Sequence, residues 1–391
     1  MTDARPPRNY FVRSFRRDAG MLSRVADSLY WMSRYLERAE HTARLVDVEL
    51  QLWLDQSPEA GAGRWRFLLD ALRTPTNGAV DPIKLVNALV FSRSNASSIV
   101  SCIATARENL RHVREQCSSE MWEQLNRLYL EVMETRPEDG WMMNSHSFFR
   151  AIQEGAQLFQ GITDGTMSHG EGWQYIQLGR YVERTDTMAA LVGTHFRRIS
   201  LPAVASSPTL SALPAAAGLP AVASLPALSA LSTVAGLPAV ASLPAASGLS
   251  AAAGQPADQA VDTAEYLDWV GLLRACVAFE AYCKAYTAEI RPLRVAEFLV
   301  LNPEFPHSVR FSVDRVNAAL HIIGDLTERR AKLPTRIAGR LRAQLSFSQI
   351  EEVMAEGAHT YLETVRTECA QMHAAIHQIY FDYAIDSELA S

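Results

Sequence analysis

The sequence predicts an all-α protein, a multi-helix bundle built from two related halves with a disordered proline-, alanine- and leucine-rich insertion. Three observations carry this. Apolar residues recur in alternating steps of three and four, and no stretch shows the period-two alternation of a strand. A short phrase occurs twice, as Arg34-Tyr35-Leu36-Glu37-Arg38-Ala39-Glu40 and, 146 residues later, as Arg180-Tyr181-Val182-Glu183-Arg184-Thr185-Asp186. A long stretch from Ser200 to Ala257 carries no charge and is punctuated by prolines.

The elements follow in order. From Ser23 to Leu50 the stripe Val25, Leu29, Met32, Leu36, Ala39, Ala43, Val46, Leu50 defines an amphipathic helix, with Ser23 as its N-cap. Pro58 and Gly61-Ala62-Gly63 are expected to end that segment. Trp65 to Leu72 reads as a short helix, and Asp81-Pro82 as the first turn of another. Ala96 to Cys117 and Met121 to Met133 read as helices, with Pro137 and Gly140 as breaks after them. Helix resumes over Ser147–Phe159, Gly161–Gly172 reads as loop, and the second Glu-Arg helix runs to about Arg198.

The repeat extends beyond the phrase. Met167 matches Met21 at the offset of 146; Trp269-Val270-Gly271-Leu272-Leu273 resembles the run from Trp65 at 204; Arg291-Pro292-Leu293 resembles Asp81-Pro82-Ile83 at 210. At that last offset Ser98-Ile99 falls on Ser308-Val309 and Leu110 on Leu320. The same order in both places argues for two related halves, and the growing offset locates an insertion in the second. There Leu-Pro-Ala-Val-Ala-Ser begins at Leu201, Leu219 and Leu237, a period of 18. Prolines at this density rule out a membrane-spanning helix and remove donors a β-helix needs, so a polyproline-leaning linker fits best. The expected organisation is a basic tail over 1–20, a helical segment over 21–199, the insertion over 200–260, the remaining helices over 261–385 and a tail over 386–391.

With 391 residues, 48% of them hydrophobic and 20% charged, the chain has the profile of a soluble globular protein of one large or two ordinary domains. A net charge of −6 argues against a nucleic-acid partner, and no membrane association is expected. The five cysteines are odd in number and have no C-x-x-C pair, as suits reduced thiols in the cytoplasm. The basic residues 1–20 contain no apolar run of signal-peptide length.

No phosphate-binding glycine loop, nucleophile elbow, dinucleotide fingerprint or zinc spacing is present, so no intrinsic cofactor or metal is expected. The chemistry-bearing candidates lie on the Glu-Arg helices. Arg34, Glu37, Arg38 and His41 share one face, Arg180, Glu183 and Arg184 repeat that set, and Asp186 closes the second phrase as a further candidate. Two readings stand. They form local ion pairs on solvated faces, worth ~0.3–0.5 kcal/mol each. Or they face a shared centre, where Glu37 pairs with Arg184 and Glu183 with Arg38, or the arginine forks hold a carboxylate or phosphate. Arg107, Glu108 and Asn109 on the long helix are further candidates, since their counterparts near Val316-Asn317-Ala318 lack the charges. The run Asp164 to Glu171 reads as an N-capping loop or an anion site, and His373 and His377 read as ordinary helix residues.

Met21-Leu22-Ser23-Arg24-Val25-Ala26-Asp27-Ser28-Leu29-Tyr30-Trp31-Met32, running into the first Glu-Arg phrase, resembles the opening of the bacterial alpha-E domain family. Ala106-Arg107-Glu108-Asn109, Trp122-Glu123-Gln124-Leu125-Asn126 and Gly179 to Arg184 are similar to its pattern as well. The resemblance covers Met21 to Tyr383 apart from the insertion. It implies an all-helical protein encoded beside ATP-grasp ligases and transglutaminase-like peptidases, hence a place in peptide amide chemistry. On that footing the leading expectation is a helical partner or co-catalytic subunit of such a ligase, acting on a peptide, with ATP and Mg²⁺ supplied through the ligase. The alternatives are a stand-alone ligase or hydrolase with Glu37 or Glu183 as base and the arginines as carboxylate clamp, and a purely structural scaffold. The resemblance assigns no role to Glu37, Arg38, Glu183 or Arg184 beyond signature.

Overall fold

Two long helices, α1 (Ser23–Leu54) and α7 (Glu171–Ser200), organise the chain. The computed structural model describes residues 21, 23–54, 58–74, 81–136, 145–200, 263–287, 289–327 and 332–381. Contacts advance in the same direction along both helices, from the Met21 N–H on Glu171, through Ser33 Oγ on the Ile176 carbonyl, to Arg184 on Glu37, so the pair runs parallel. The backbones meet most closely at Gly179, the residue 146 positions after Ser33. A Cβ added to Gly179 would lie 2.3 Å from the Tyr30 carbonyl oxygen, so this close approach requires glycine.

The remaining helices pack around this pair. In the first part they are α2 (Pro58–Ala71), α3 (Pro82–Val90), α4 (Ile99–His112), a 3-10 turn at Arg114–Gln116, α5 (Ser119–Glu134) and α6 (His146–Thr166). In the second part they are α8 (Thr263–Ala275), α9 (Phe279–Tyr286), α10 (Pro292–Leu301), α11 (Val309–Thr327), α12 (Lys332–Phe347), α13 (Ile350–Glu356) and α14 (Ala358–Ile376), closed by a π-helical turn at His377–Phe381. There is no strand among the described residues. α4 and α6 pack on α1, and α11 and α14 pack on α7. Enclosed in this way, α1 buries its expected stripe from Leu29 to Leu50, and also Ser33, Arg34, Glu37, Glu40, Thr42, Asp47 and Glu49.

Local geometry recurs at the offsets read from the sequence. α2 and α8 both end on a left-handed residue, Arg73 at φ 55° and Val277 at φ 56°, 204 positions apart. In each, the next N–H returns five residues, Thr74 to the Leu69 carbonyl and Ala278 to the Leu273 carbonyl, the bond of a Schellman helix stop. Before α4, Ser98 Oγ donates to the Ser92 carbonyl; before α11, 210 positions on, Ser308 Oγ donates to the Asn302 carbonyl. Trp65 and Trp269 are both fully buried.

Three expected boundaries are corrected. Pro58 and the Gly61-Ala62-Gly63 run belong to α2, which Pro58 opens, proline being well tolerated in a first helical turn. α4 is shorter than Ala96–Cys117, because Ser98 caps the Ser101 N–H and so fixes the start at Ile99. The expected loop over Gly161–Gly172 is helical as far as Thr166, since Phe159 and Thr163 keep burying the same face and Gly161 and Gly165 meet nothing that opposes helix. The tails, the Pro137 and Gly140 breaks, and the insertion apart from Ser200 lie outside the described residues.

Candidate functional site

One turn past the Gly179 contact, the two Glu-Arg steps exchange partners across α1 and α7. Arg184 grips Glu37, Nε to Oε1 at 2.5 Å and Nη2 to Oε2 at 3.0 Å. Arg38 grips Glu183, Nε to Oε1 at 2.6 Å and Nη2 to Oε2 at 3.1 Å. Each is a planar two-point fork, the geometry that makes arginine–carboxylate bonds strong and directional. Both glutamates are buried, so the picture of local pairs on solvated faces gives way to that of a shared centre.

The exchange is not quite symmetric. Arg34 adds a third donor to Glu183 at 2.7 Å and lies over the rings of Tyr30 and Trp31. Its counterpart Arg180 turns to Gln177 Oε1 at 3.4 Å. Glu37 and Glu40 instead share Gln160 of α6, each at 3.4 Å, and Glu40 takes Arg44 at 2.9 Å. Burial pushes the Glu40 carboxyl up, and the charge on Glu37 beside it adds to that. Burial would also raise Glu183, but Arg34 and Arg38 outweigh it and hold the carboxyl at about 2. With both oxygens engaged at neutral pH, Glu183 is an anchor and a poor general base.

One turn further on sit His41 and Asp186. Burial keeps the His41 imidazole neutral, with its pKa lowered to about 4, and Nε2 is enclosed without a hydrogen-bond partner. Asp186 accepts from Arg366 of α14 at 3.1 Å and faces Arg73 at 3.9 Å. Arg38, His41, Arg73, Glu183, Asp186 and Thr187 line a cleft of about 390 Å³, within the size range of small-molecule sites.

The structure therefore brings together Arg34, Glu37, Arg38, His41, Glu183, Arg184 and Asp186, with Arg180 at the edge. Arg107, Glu108 and Asn109 lie elsewhere. Arg107 reaches Asn126 of α5 at 2.8 Å, stacks over Trp122 and Tyr129 and pairs with Glu108, while Asn109 bonds the Thr105 carbonyl. The Asp164–Glu171 run spends its polar groups internally: Asp164 accepts from Trp173 at 3.1 Å, and Glu171 accepts from the Met21 N–H. His373 Nδ1 lies 2.8 Å from the Tyr30 hydroxyl. No group of three or more His, Cys, Asp or Glu suited to a metal occurs among the described residues. Sequence reasoning missed Arg73 and Arg366, which reach Asp186 from α2's end and from α14. A lone arginine beyond either phrase gives no local signal.

A family model described as a predicted alpha-helical domain with a conserved ER motif matches residues 21–227 and 243–381. Two curated relatives, uncharacterized proteins of Mycobacterium bovis and Mycobacterium tuberculosis, are each 21% identical over 386 residues, covering 92% of this chain. The chain spans only 36% of the length of those relatives. No solved structure matches it.

Proposed function

The chain belongs to the alpha-E family, and from that premise we propose that it is a helical partner or co-catalytic subunit of an ATP-grasp-type peptide amide-ligase system. In this reading ATP and Mg²⁺ arrive with the ligase, a transglutaminase-like peptidase is a second partner, and a peptide is the shared substrate. The observation that favours a partner over a stand-alone enzyme is the double exchange itself. Each glutamate proposed as a base has both oxygens held by an arginine fork, so the signature residues are committed to joining α1 and α7. What the joint leaves open beside it is a polar cleft, a feature suited to binding. The match to about a third of much longer relatives also suits a domain that works beside others.

The test is a pull-down with an ATP-grasp ligase from the same cell, followed by ATP turnover with and without this chain. Co-purification and peptide-dependent stimulation are expected. Glu37→Gln and Arg184→Lys proteins that remain folded should lose the stimulation. Peptide turnover by the purified chain alone would instead establish the enzyme reading. Variants that simply unfold, with no ligase bound by the wild type, would leave the scaffold.

A further inference from the structure

The cleft has an internal mate. A second, smaller cavity lies on the other side of His41 and Thr187, which line both and stand 146 positions apart. Its walls correspond to those of the cleft at the repeat offsets. Arg184 and Glu37 stand for Arg38 and Glu183, and Glu40 for Asp186, at 146; Ala275 stands for Ala71 at 204; His307 stands for Ser97 at 210. The cleft holds about 390 Å³ and its mate about 10 Å³, room for no more than a single water. The difference has named causes. Arg44 fills the mate where the cleft has Ala190, Met188 where it has Thr42, and His307 where it has Ser97. Arg184 Nη1 also binds the Pro306 carbonyl at 3.1 Å, drawing the loop before α11 over the mate.

The open member has an excess of cations. Arg38 and Arg73 line it with Glu183 and Asp186, but those two carboxylates are also paired from behind, by Arg34 and Arg366. Arg366 also pairs with Glu363, so four arginines meet three acids, an excess of one positive charge. Arg73 is 65% exposed, and among the described residues its guanidinium is held by the long 3.9 Å contact to Asp186 alone, which leaves its fork available. At the matching helix stop the mate has Val277. Arg73 and Thr74 also line a groove of about 530 Å³ that continues past Arg197 and Arg366, a path for an extended chain behind a bound terminus.

We propose that the duplicated centre keeps one working site and has closed the other, and that the open cleft binds the carboxylate end of a peptide, with Arg73 as its principal contact. A monoanion suits the modest cation excess better than a phosphate dianion, which Asp186 and Glu183 would oppose. The site belongs to this chain and does not depend on a ligase, so the test uses the protein alone.

Isothermal titration of the full chain with acetyl-Ala-Ala and with its C-terminal amide reads the proposal directly. The free carboxylate should bind at one site per chain, and the amide at least tenfold more weakly. Arg73→Leu should weaken binding at least tenfold and Arg73→Lys less, because a point charge lacks the fork. Ser97→His, an exposed position given the mate's plug, should also block binding. Arg111→Leu, a change at an exposed arginine on the α4–α5 face, should leave it intact. Equal affinity for the amide, insensitivity to Arg73→Leu, two equal sites, tighter binding of inorganic phosphate, or no binding of either peptide would each overturn the proposal.

Discussion

Glu183 accepts a fork from Arg38 and a further bond from Arg34, Glu37 accepts one fork from Arg184, and this inequality sets what single substitutions should do. Removing one member of a buried ion pair leaves an uncompensated charge and typically costs about 3–5 kcal/mol. Glu183→Gln strands Arg34 and Arg38 together, so it should lie at the upper end of that range, and Glu37→Gln, which strands Arg184, at the lower end. Replacing both members at once, as Glu37→Leu with Arg184→Met, should cost much less than the two single changes added, because no charge is left buried. Denaturant melts of the two singles and the double close the cycle, and strict additivity would mean that the pair is not coupled. These residues were legible in the sequence because the phrase is repeated, and repetition made cross-pairing one of two explicit readings. Arg73, Arg366 and Gln160 were not, since each enters from a distant helix at a position its own periodicity does not mark. Arg107, Glu108 and Asn109 were legible as a dense polar run, whose partners lie within α4 and, for Arg107, at Asn126 of α5.

At the level of elements, the parallel crossing of α1 and α7 depends on a missing side chain. Gly179→Ala would place a Cβ against the Tyr30 carbonyl, backbone that cannot rotate away, so the helices must part. A loss of about 1–3 kcal/mol is expected, with the Arg–Glu forks lengthened as well. Gly161→Ala, in the middle of α6 with nothing within 4 Å of the new Cβ, should gain roughly 0.5–1 kcal/mol through helix propensity. Opposite shifts in melting temperature check the pair, and a neutral Gly179→Ala would show that the crossing tolerates separation. The helices as far as α7 were legible from three-four periodicity, but their ends were less so. Pro58 and Gly161 have the residue types of breaks, yet Pro58 opens α2 and the burial of Phe159 and Thr163 carries α6 past Gly161. In the second part the repeat signalled α8, α10 and α11 through only a few residues each, because most positions there have diverged in side chain while keeping the helix stop and the serine cap.

Across the whole molecule, buried titratable groups of opposite sense should set how stability varies with pH. Burial lowers His41 to about 4, His195 to about 3 and His307 well below its ordinary value. A depressed pKa adds stability above the unfolded value, near 6.5, and that stability is lost as pH falls. Glu183, held at about 2, acts in the same direction below the ordinary carboxylate range. Against these, burial outweighs Arg64 and raises Glu49 to about 7, and Glu40 is raised as well. Their contribution is fullest at low pH and disappears as pH rises through the folded value. His373 is lowered to about 4 as well, so between about pH 4.5 and 6.5 four histidines oppose two glutamates, the unfolded chain binds more protons and stability rises with pH. At pH 6.5 each unfolded histidine still holds about half a proton, more in sum than folded Glu49 retains, so the rise should level off between about pH 7 and 8. Calorimetric melts from pH 4 to 9 should therefore rise to a plateau near pH 7 to 8, and Glu49→Gln, which keeps the shape beside Arg64 without the titration, should steepen the rise between about pH 5 and 7. A slope left unchanged by Glu49→Gln would show that the buried carboxylate at the α1–α2 contact does not titrate in this range.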